Sequence, residues 1–205
     1  MDQFQRPIGR EGRIVAAHMN REHRNLTTWG LTHVTIQPDF TILDVGCGGG
    51  KTINRLAQMA LQGKIYGVDY SPEMVAYAKK LNRKLVEQGS VEIVEGTADK
   101  TGLLSNQFDL VTAVETYYFW HSLPDAFREI LRVLKPNGQF VLISEMIKDG
   151  VYEVEQAEMI AKTHVRLAEL KEVCSFLKSA GFVRVEAYRK EGTAWNVVVS
   201  QKPLS

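Results

Sequence analysis

Residues 44–52 read DVGCGGGKT, with glycines at alternate positions directly after an apolar run. Loops of this composition handle a phosphate, a hydride or a methyl group, depending on where the glycines fall. A Walker phosphate loop needs a glycine five positions before the glycine of GK[ST]; GKT stands at 50–52, but position 45 is Val. A dinucleotide fingerprint begun at Gly46 meets Lys51 where its third glycine belongs, and one begun at Gly48 meets Ile53. Both stricter patterns fail. What remains is an acidic residue at a strand end, Asp44, followed by Gly46, Gly48 and Gly50, with a second acid, Asp69, at the end of the next apolar run. Lys51 then reads as a solvated residue at the start of a helix.

The elements that position these residues alternate in type. TILDV (41–45) suits a buried parallel strand, and the helix behind it carries Ile53, Leu56, Ala57 and Ala60 on one face. KIYGVD (64–69) is the second strand. Ser71 offers an N-cap with Pro72 at the first helical position, and Met74, Val75, Ala78, Leu81 and Leu85 form one helical stripe. VEIVEG (91–96) and FDLVTAV (108–114) are the third and fourth strands. A helix carrying Leu123, Phe127, Ile130, Leu131 and Leu134 follows, ended by KPNG, and QFVLISE (139–145) is the fifth strand. A later helix marked by Leu167, Leu170, Val173, Cys174 and Leu177 stops near Gly181. FVRVEAY (182–188) and TAWNVVVS (193–200), separated by four residues, must be an antiparallel hairpin. The expected fold is α/β: a Rossmann-like, doubly wound, seven-stranded, mostly parallel sheet with an antiparallel C-terminal hairpin strand. A single domain spans 1–205, with residues 10–33 as an N-terminal helical lid and 146–166 as a short insertion.

Composition narrows the partners. Lys plus Arg number 25 against 24 Asp plus Glu in 205 residues, so there is no basic footprint for nucleic acid or an anionic membrane. No apolar run approaches a membrane span, and the N-terminal residues are too polar for a signal peptide. Two distant cysteines, Cys47 and Cys174, form neither a disulfide framework nor a metal quartet. A cytoplasmic setting is expected.

The ordered motifs resemble those of class I S-adenosylmethionine-dependent methyltransferases, in the methyltransferase type 11 branch. ILDVGCGGG is similar to the first motif, GVDYSPEMVAYAKK to the second, EGTAD to the adenine-side motif, FDLVTAVE to the fourth-strand motif and ILRVLKPNGQFVLI to the helix-to-strand signature. The resemblance implies S-adenosylmethionine as cofactor and S-adenosylhomocysteine as product. It places Gly46 and Gly48 where backbone approaches methionine and ribose closely, and Asp69 where a carboxylate accepts from both ribose hydroxyls. Tyr70 and Met74 would contact adenine, Ala98 and Asp99 would bond its ring and exocyclic amine, and Asp44 and the backbone near Glu115 would lie by the ligand's amino group. Cys47 would pack beneath the turn without covalent chemistry.

ETYYFWHSLPD (115–125) follows the fourth strand, so its aromatics stand near the carboxyl edge, where Tyr117, Tyr118, Phe119 and Trp120 could shape an apolar pocket. His121 has the ordinary pKa, about 6.5, that suits a general base, but a lone histidine at a helix start is more often a surface group. Catalysis stays open among His121, Tyr117, Tyr118 and no base at all. His18, His23 and His164 show no metal-ligand spacing, so no metal is expected. His23 and Trp29 could be lid contacts, Trp29 equally a docking anchor. The expected activity is methyl transfer to a small-molecule acceptor by in-line displacement in a desolvated pocket. A cofactor-binding regulatory or sensor protein on the same fold is the alternative.

Overall fold

A computed structural model describes residues 23–148, 150, 157, 160 and 165–204. Five strands with the spacing of buried parallel strands come first: β1 (Thr41–Val45), β2 (Lys64–Asp69), β3 (Val91–Glu95), β4 (Phe108–Val114) and β5 (Leu134–Ser144). Two more, β6 (Val183–Arg189) and β7 (Asn196–Gln201), close a seven-stranded sheet in the order β3-β2-β1-β4-β5-β7-β6. β7 is antiparallel to both of its neighbours, β5 and β6, while the pairings among β1 to β5 are parallel. This is the Rossmann-like arrangement the alternation of elements demands. The order reverses between β1 and β4, so the loops leaving these two strands diverge and open a crevice at their carboxyl ends.

Helices cover both faces. On one, α1 (Arg24–Leu31), α2 (Lys51–Met59) and α3 (Pro72–Leu81) bury Leu26, Ile53, Leu56 and Ala78 against Ile42, Ile65 and Ile143. On the other, α5 (Leu123–Val133) and α6 (Leu170–Ala180) bury Phe127, Ile130, Val173 and Leu177 against Phe108, Phe140 and Val198. Strand side chains alternate between the two cores, which is why the central strands read as continuous apolar runs. Local signals set the helix ends: Ser71 Oγ accepts from the Met74 amide at 3.4 Å, Ser122 Oγ from the Asp125 amide at 3.3 Å, and Gly181 closes α6 in the left-handed region at φ 108°.

The structure departs from the sequence expectation at the ends of α3 and α5. The stripe from Met74 to Leu85 is not one helix: α3 ends at Leu81 and a separate short helix, α4 (Arg83–Glu87), follows. Between them the buried Asn82 turns its amide inward, donating to Gly50 O and Ala78 O at 3.0 Å each. A side-chain amide thus ties the end of α3 to the glycine loop. KPNG does not end α5; the helix stops at Val133 and β5 begins at Leu134, running through the turn residues with Asn137 at φ 65°. The β4–β5 register shifts there, between Phe108 and Leu110, and absorbs the irregularity.

The described part of the expected lid is a layer of the fold. α1 lies flat on the sheet, and Gly30 approaches β5 so closely that a Cβ there would sit 2.5 Å from Ile143 Cδ1. Trp29 packs against Trp195 and His33, and His33 against Tyr188, at ring separations of 6.1, 4.8 and 4.7 Å. Leu26 and Leu31 supply the apolar burial that a cap over the sheet's edge would not have provided. Residues 10–22 of that segment, and 149, 151–156, 158–159 and 161–164 of the 146–166 insertion, lie outside the described residues. No helix among the described residues is long and apolar enough to cross a membrane.

Candidate functional site

The glycine loop is fastened to the second strand. Gly46 and Cys47 donate their amides to Val68 O at 2.8 and 3.0 Å, and the Gly48 amide donates to Asp69 Oδ2 at 2.8 Å. The other oxygen, Oδ1, accepts from the Ser71 amide at 2.9 Å. Each Asp69 oxygen keeps a lone-pair direction, because an ionised carboxylate offers about four acceptor sites and only one per oxygen is taken. Burial pushes the Asp69 carboxyl above its ordinary range, and the two amides pull against that.

The two central glycines serve different needs. A Cβ at Gly46, where φ is 70°, would lie 2.0 Å from Thr116 Oγ1, so this glycine lets the loop after β1 close on the loop after β4. A Cβ at Gly48, φ 48°, would meet nothing within 4 Å. Chain packing does not explain the second glycine; its left-handed φ does, and the space beside it is open.

Cys47 is buried beneath the turn, its Sγ 3.0 Å from where a Gly67 Cβ would stand. Burial, with the negative charges of Asp69 and Asp44, pushes its thiol well up, which keeps it protonated and unreactive. Lys51 is exposed. On the same side, Met74 is buried at the first turn of α3, Tyr70 stands 40% exposed just before it, and Ala98 and Asp99 occupy the tip of a turn closed by reciprocal Thr97 and Lys100 backbone bonds of 3.2 and 3.1 Å. Ala98 is buried and Asp99 exposed. Glu129 Oε1 of α5 anchors that turn, accepting from the Thr101 amide at 2.9 Å and its hydroxyl at 2.6 Å.

Three acids meet the crevice from neighbouring strands: Asp44 from the last turn of β1, Asp69 from β2 and Glu115 just past β4. Asp44 accepts from Thr112 Oγ1 at 2.7 Å. Burial pushes its carboxyl to about 7, opposed by that bond and aided by the charge of Asp69. Glu115 sits at φ 52°, where non-glycine residues are uncommon. It accepts from Tyr118 Oη at 2.9 Å and from the Glu145 amide at 2.6 Å, and burial pushes it to about 7 as well. Among the described residues no Lys or Arg bonds any of the three. Buried carboxyls with no Lys or Arg partner among the described residues suit a ligand that brings positive charge.

The aromatic segment is more committed to the fold than its composition suggests. Tyr117 is fully buried; its hydroxyl donates to Met146 O at 2.5 Å and accepts from the Ala168 amide at 3.4 Å. Burial pushes the hydroxyls of Tyr117 and Tyr118 upward, so both stay protonated near neutrality. Trp120 Nε1 donates to Thr116 Oγ1 at 3.3 Å. His121 is exposed in the loop before α5, apart from the buried acids. His23, at the start of α1, has Nε2 3.9 Å from Glu145 Oε1. His18 and His164 lie outside the described residues.

Sequence reasoning missed Thr112, Thr116, Asn82 and Glu145. Each acts through a contact between segments far apart in the chain, for which no local spacing exists.

Comparison with known proteins bears directly on this geometry. The family model described as a methyltransferase domain matches residues 43–142, from within β1 to within β5. Over these residues, just under half of its length, the chain is similar to this methyltransferase family. The chain is 27% identical over 128 residues to an uncharacterized methyltransferase of Bacillus subtilis, covering 62% of this chain and 66% of that protein. It is 30% identical over 134 residues to cycloartenol-C-24-methyltransferase 1 of Oryza sativa subsp. japonica, covering 65% and 37%, and 29% identical over 123 residues to 2-phytyl-1,4-naphtoquinone methyltransferase of Trichormus variabilis, covering 60% and 54%. The matched part thus spans less than two thirds of these relatives' own lengths. Among solved structures, a chain in the complex between the Haloferax volcanii Trm112 methyltransferase activator and a putative methyltransferase superposes with a TM-score of 0.80 at 21% identity, covering 94% of this chain and 95% of that one. Haemonchus contortus phosphoethanolamine N-methyltransferase 2, solved with S-adenosyl-L-methionine, gives 0.75 at 18% identity, covering 88% and 53%. At these identities the likeness is one of fold.

Proposed function

We propose that this chain binds S-adenosylmethionine in the crevice between β1 and β4 and transfers its methyl group to a small-molecule acceptor. One observation carries the reading: three buried acids, with no Lys or Arg partner among the described residues, surround a glycine turn whose Gly48 faces open space. A nucleoside with a cationic sulfur and an ammonium group, and no phosphate, matches that combination. The names of the sterol and naphthoquinone enzymes among the relatives support a small acceptor for this chain too.

In this reading Asp69 accepts from the two ribose hydroxyls with the lone pairs its amide partners leave free. Gly46 and Gly48 admit backbone contact, and Cys47 supports the turn from below. Asp44 and the backbone near Glu115 face the ammonium group. Tyr70 and Met74 flank the adenine, the Ala98 amide donates to its ring, and Asp99 accepts from its exocyclic amine. The cofactor supplies an electrophilic methyl on a cationic sulfur, and charge separation falls as the acceptor attacks. The buried walls contributed by Tyr117, Tyr118 and Phe119 keep water from the line of attack. The raised Tyr hydroxyls and the exposed position of His121 favour a reaction that relies on positioning instead of a dedicated base.

Calorimetry with S-adenosylmethionine and S-adenosylhomocysteine tests the binding step: one site per chain for each is expected, and the absence of both sinks the proposal. Radiolabelled methyl transfer across a small-molecule panel tests the chemistry. Saturable binding with no labelled product from any acceptor would turn the assignment toward a regulatory or sensor protein.

A further inference from the structure

Beside the crevice, on the side away from adenine, three side chains with metal-ligating atoms converge from different elements. His23 comes from the start of α1, Glu115 from the loop after β4 and Glu145 from the end of β5. One ligand atom from each lies within 4.8 Å of the others. We propose that His23, Glu115 and Glu145 form a binding site for one first-row divalent metal ion, with coordination positions open toward the crevice.

The geometry supports a single ion. Ligands about 2.1 Å from a metal stand at most about 4.2 Å apart. The His23 Nε2 to Glu145 Oε1 separation of 3.9 Å already satisfies that limit. The widest separation the set permits, 4.8 Å, closes with a small rotation of His23 or Glu145, whose side chains are 20% and 37% exposed. Glu115 is the fixed member. Its two oxygens are oriented by Tyr118 Oη and the Glu145 amide, the kind of outer hydrogen bond that holds ligating carboxylates in place. Both oxygens retain a lone pair, and Glu115 has no Lys or Arg partner among the described residues. An ion would compensate the cost of burying that carboxyl.

The donor set selects the ion. One imidazole nitrogen and two carboxylate oxygens suit manganese, iron or zinc better than magnesium or calcium, which prefer oxygen alone. Three protein ligands leave positions for an exogenous oxygen donor, the arrangement of an ion that acts on a bound group. Its use in catalysis rests on the methyl-transfer reading above; its binding does not. There, an acceptor hydroxyl would bind the ion and release its proton to water, the oxygen lone pair would form the O–CH3 bond, and the S–CH3 electron pair would return to sulfur as a neutral thioether.

The test is titration of Mn²⁺, read by electron paramagnetic resonance, and of Zn²⁺, read by competition with a chromophoric chelator, into chain first stripped with EDTA. Wild type is expected to bind one ion, zinc more tightly than manganese, and His23→Ala and Glu145→Gln each to weaken binding at least about tenfold. Circular dichroism and S-adenosylhomocysteine affinity are measured on the same samples. Affinity for the nucleoside unchanged within about twofold shows that the fold and the cofactor site survive, so a lost ion is a lost ligand. No ion bound by wild type, or binding equal in wild type and both variants, overturns the site whatever the nucleoside result.

Discussion

The two sides of the crevice are built differently. On the side of β1, β2 and β3, backbone amides hold the site: the Gly48 amide of the glycine loop and the Ser71 amide bond Asp69, and Thr97 and Lys100 close the Ala98–Asp99 turn. On the side of β4 and β5, distant segments meet: Glu115 bonds the Glu145 amide, and the Tyr117 hydroxyl joins Met146 to Ala168. The first arrangement needs fixed residue types at fixed spacing. The second needs only that strands end near one another, and it leaves residue identity to whatever is bound. A common cofactor on the first side and a variable acceptor on the second would produce this contrast.

The largest effect that could break the contrast is at Asp69. Asp69→Ala removes the acceptor for two ligand hydroxyls and both loop anchors; S-adenosylhomocysteine affinity is expected to fall at least about a hundredfold, since bonds to a charged group are worth about 1.5–3 kcal/mol each. Calorimetry at fixed salt reads it. An unchanged affinity would show that the first side does not hold the ribose.

The glycine pair sharpens the comparison further. Gly46→Ala combines a left-handed φ with a clash against Thr116 and should cost about 3 kcal/mol of stability in urea unfolding. Gly48→Ala has only the backbone cost, about 1–2 kcal/mol, yet should weaken nucleoside binding by about tenfold or more because its Cβ enters the open space. Equal losses of stability for the two variants would contradict the division of labour.

Protonation offers a third measurement. Asp44 and Glu115 titrate at about 7 in the folded chain and well below that when unfolded. The folded state therefore holds more protons, so these groups stabilise the ligand-free chain fully at acid pH, and that share is lost as pH rises from about 4 through 7. A cationic ligand prefers the ionised forms. Its affinity should thus rise from pH 6 to 8, by about tenfold for each carboxylate it requires, and Asp44→Asn should flatten the rise. A flat wild-type profile would separate these acids from the ligand's charge.

Smaller effects belong to the second side. Tyr118→Phe leaves Glu115 one hydrogen bond short and should lower stability by about 1 kcal/mol in chemical denaturation, with little change in nucleoside affinity. His121→Ala should leave turnover within about twofold of wild type in a labelled-methyl assay, because the imidazole is exposed outside the buried cluster. A hundredfold loss would restore it as a base.

This division also accounts for what could be read in advance. Strands β1 to β4 start where their apolar runs start, and the order of Asp44, the glycines and Asp69 pointed to the crevice because a turn around a nucleoside constrains neighbours in the chain. The break at Asn82 was invisible, since Leu81 and Leu85 continue a helical stripe and the amide that ends it bonds Gly50 O across the fold as well as Ala78 O. KPNG looked like a helix stop because its turn chemistry is real, but β4 draws Leu134 into the sheet before the turn begins. Glu145 and His23 carried no spacing signal, as their neighbours are made by strand ends and not by sequence.

The three tryptophans of the chain stand in two places, Trp29 and Trp195 where α1 docks on the sheet and Trp120 beside the crevice. Trp29 of α1 packs against Trp195, just before β7, whereas Trp120 is hydrogen-bonded to the same Thr116 hydroxyl that Gly46 must clear. The chain therefore carries its own optical label at each region. Replacing Trp120 with Phe leaves emission that reports helix docking alone, and the difference from wild type follows the crevice as it fills.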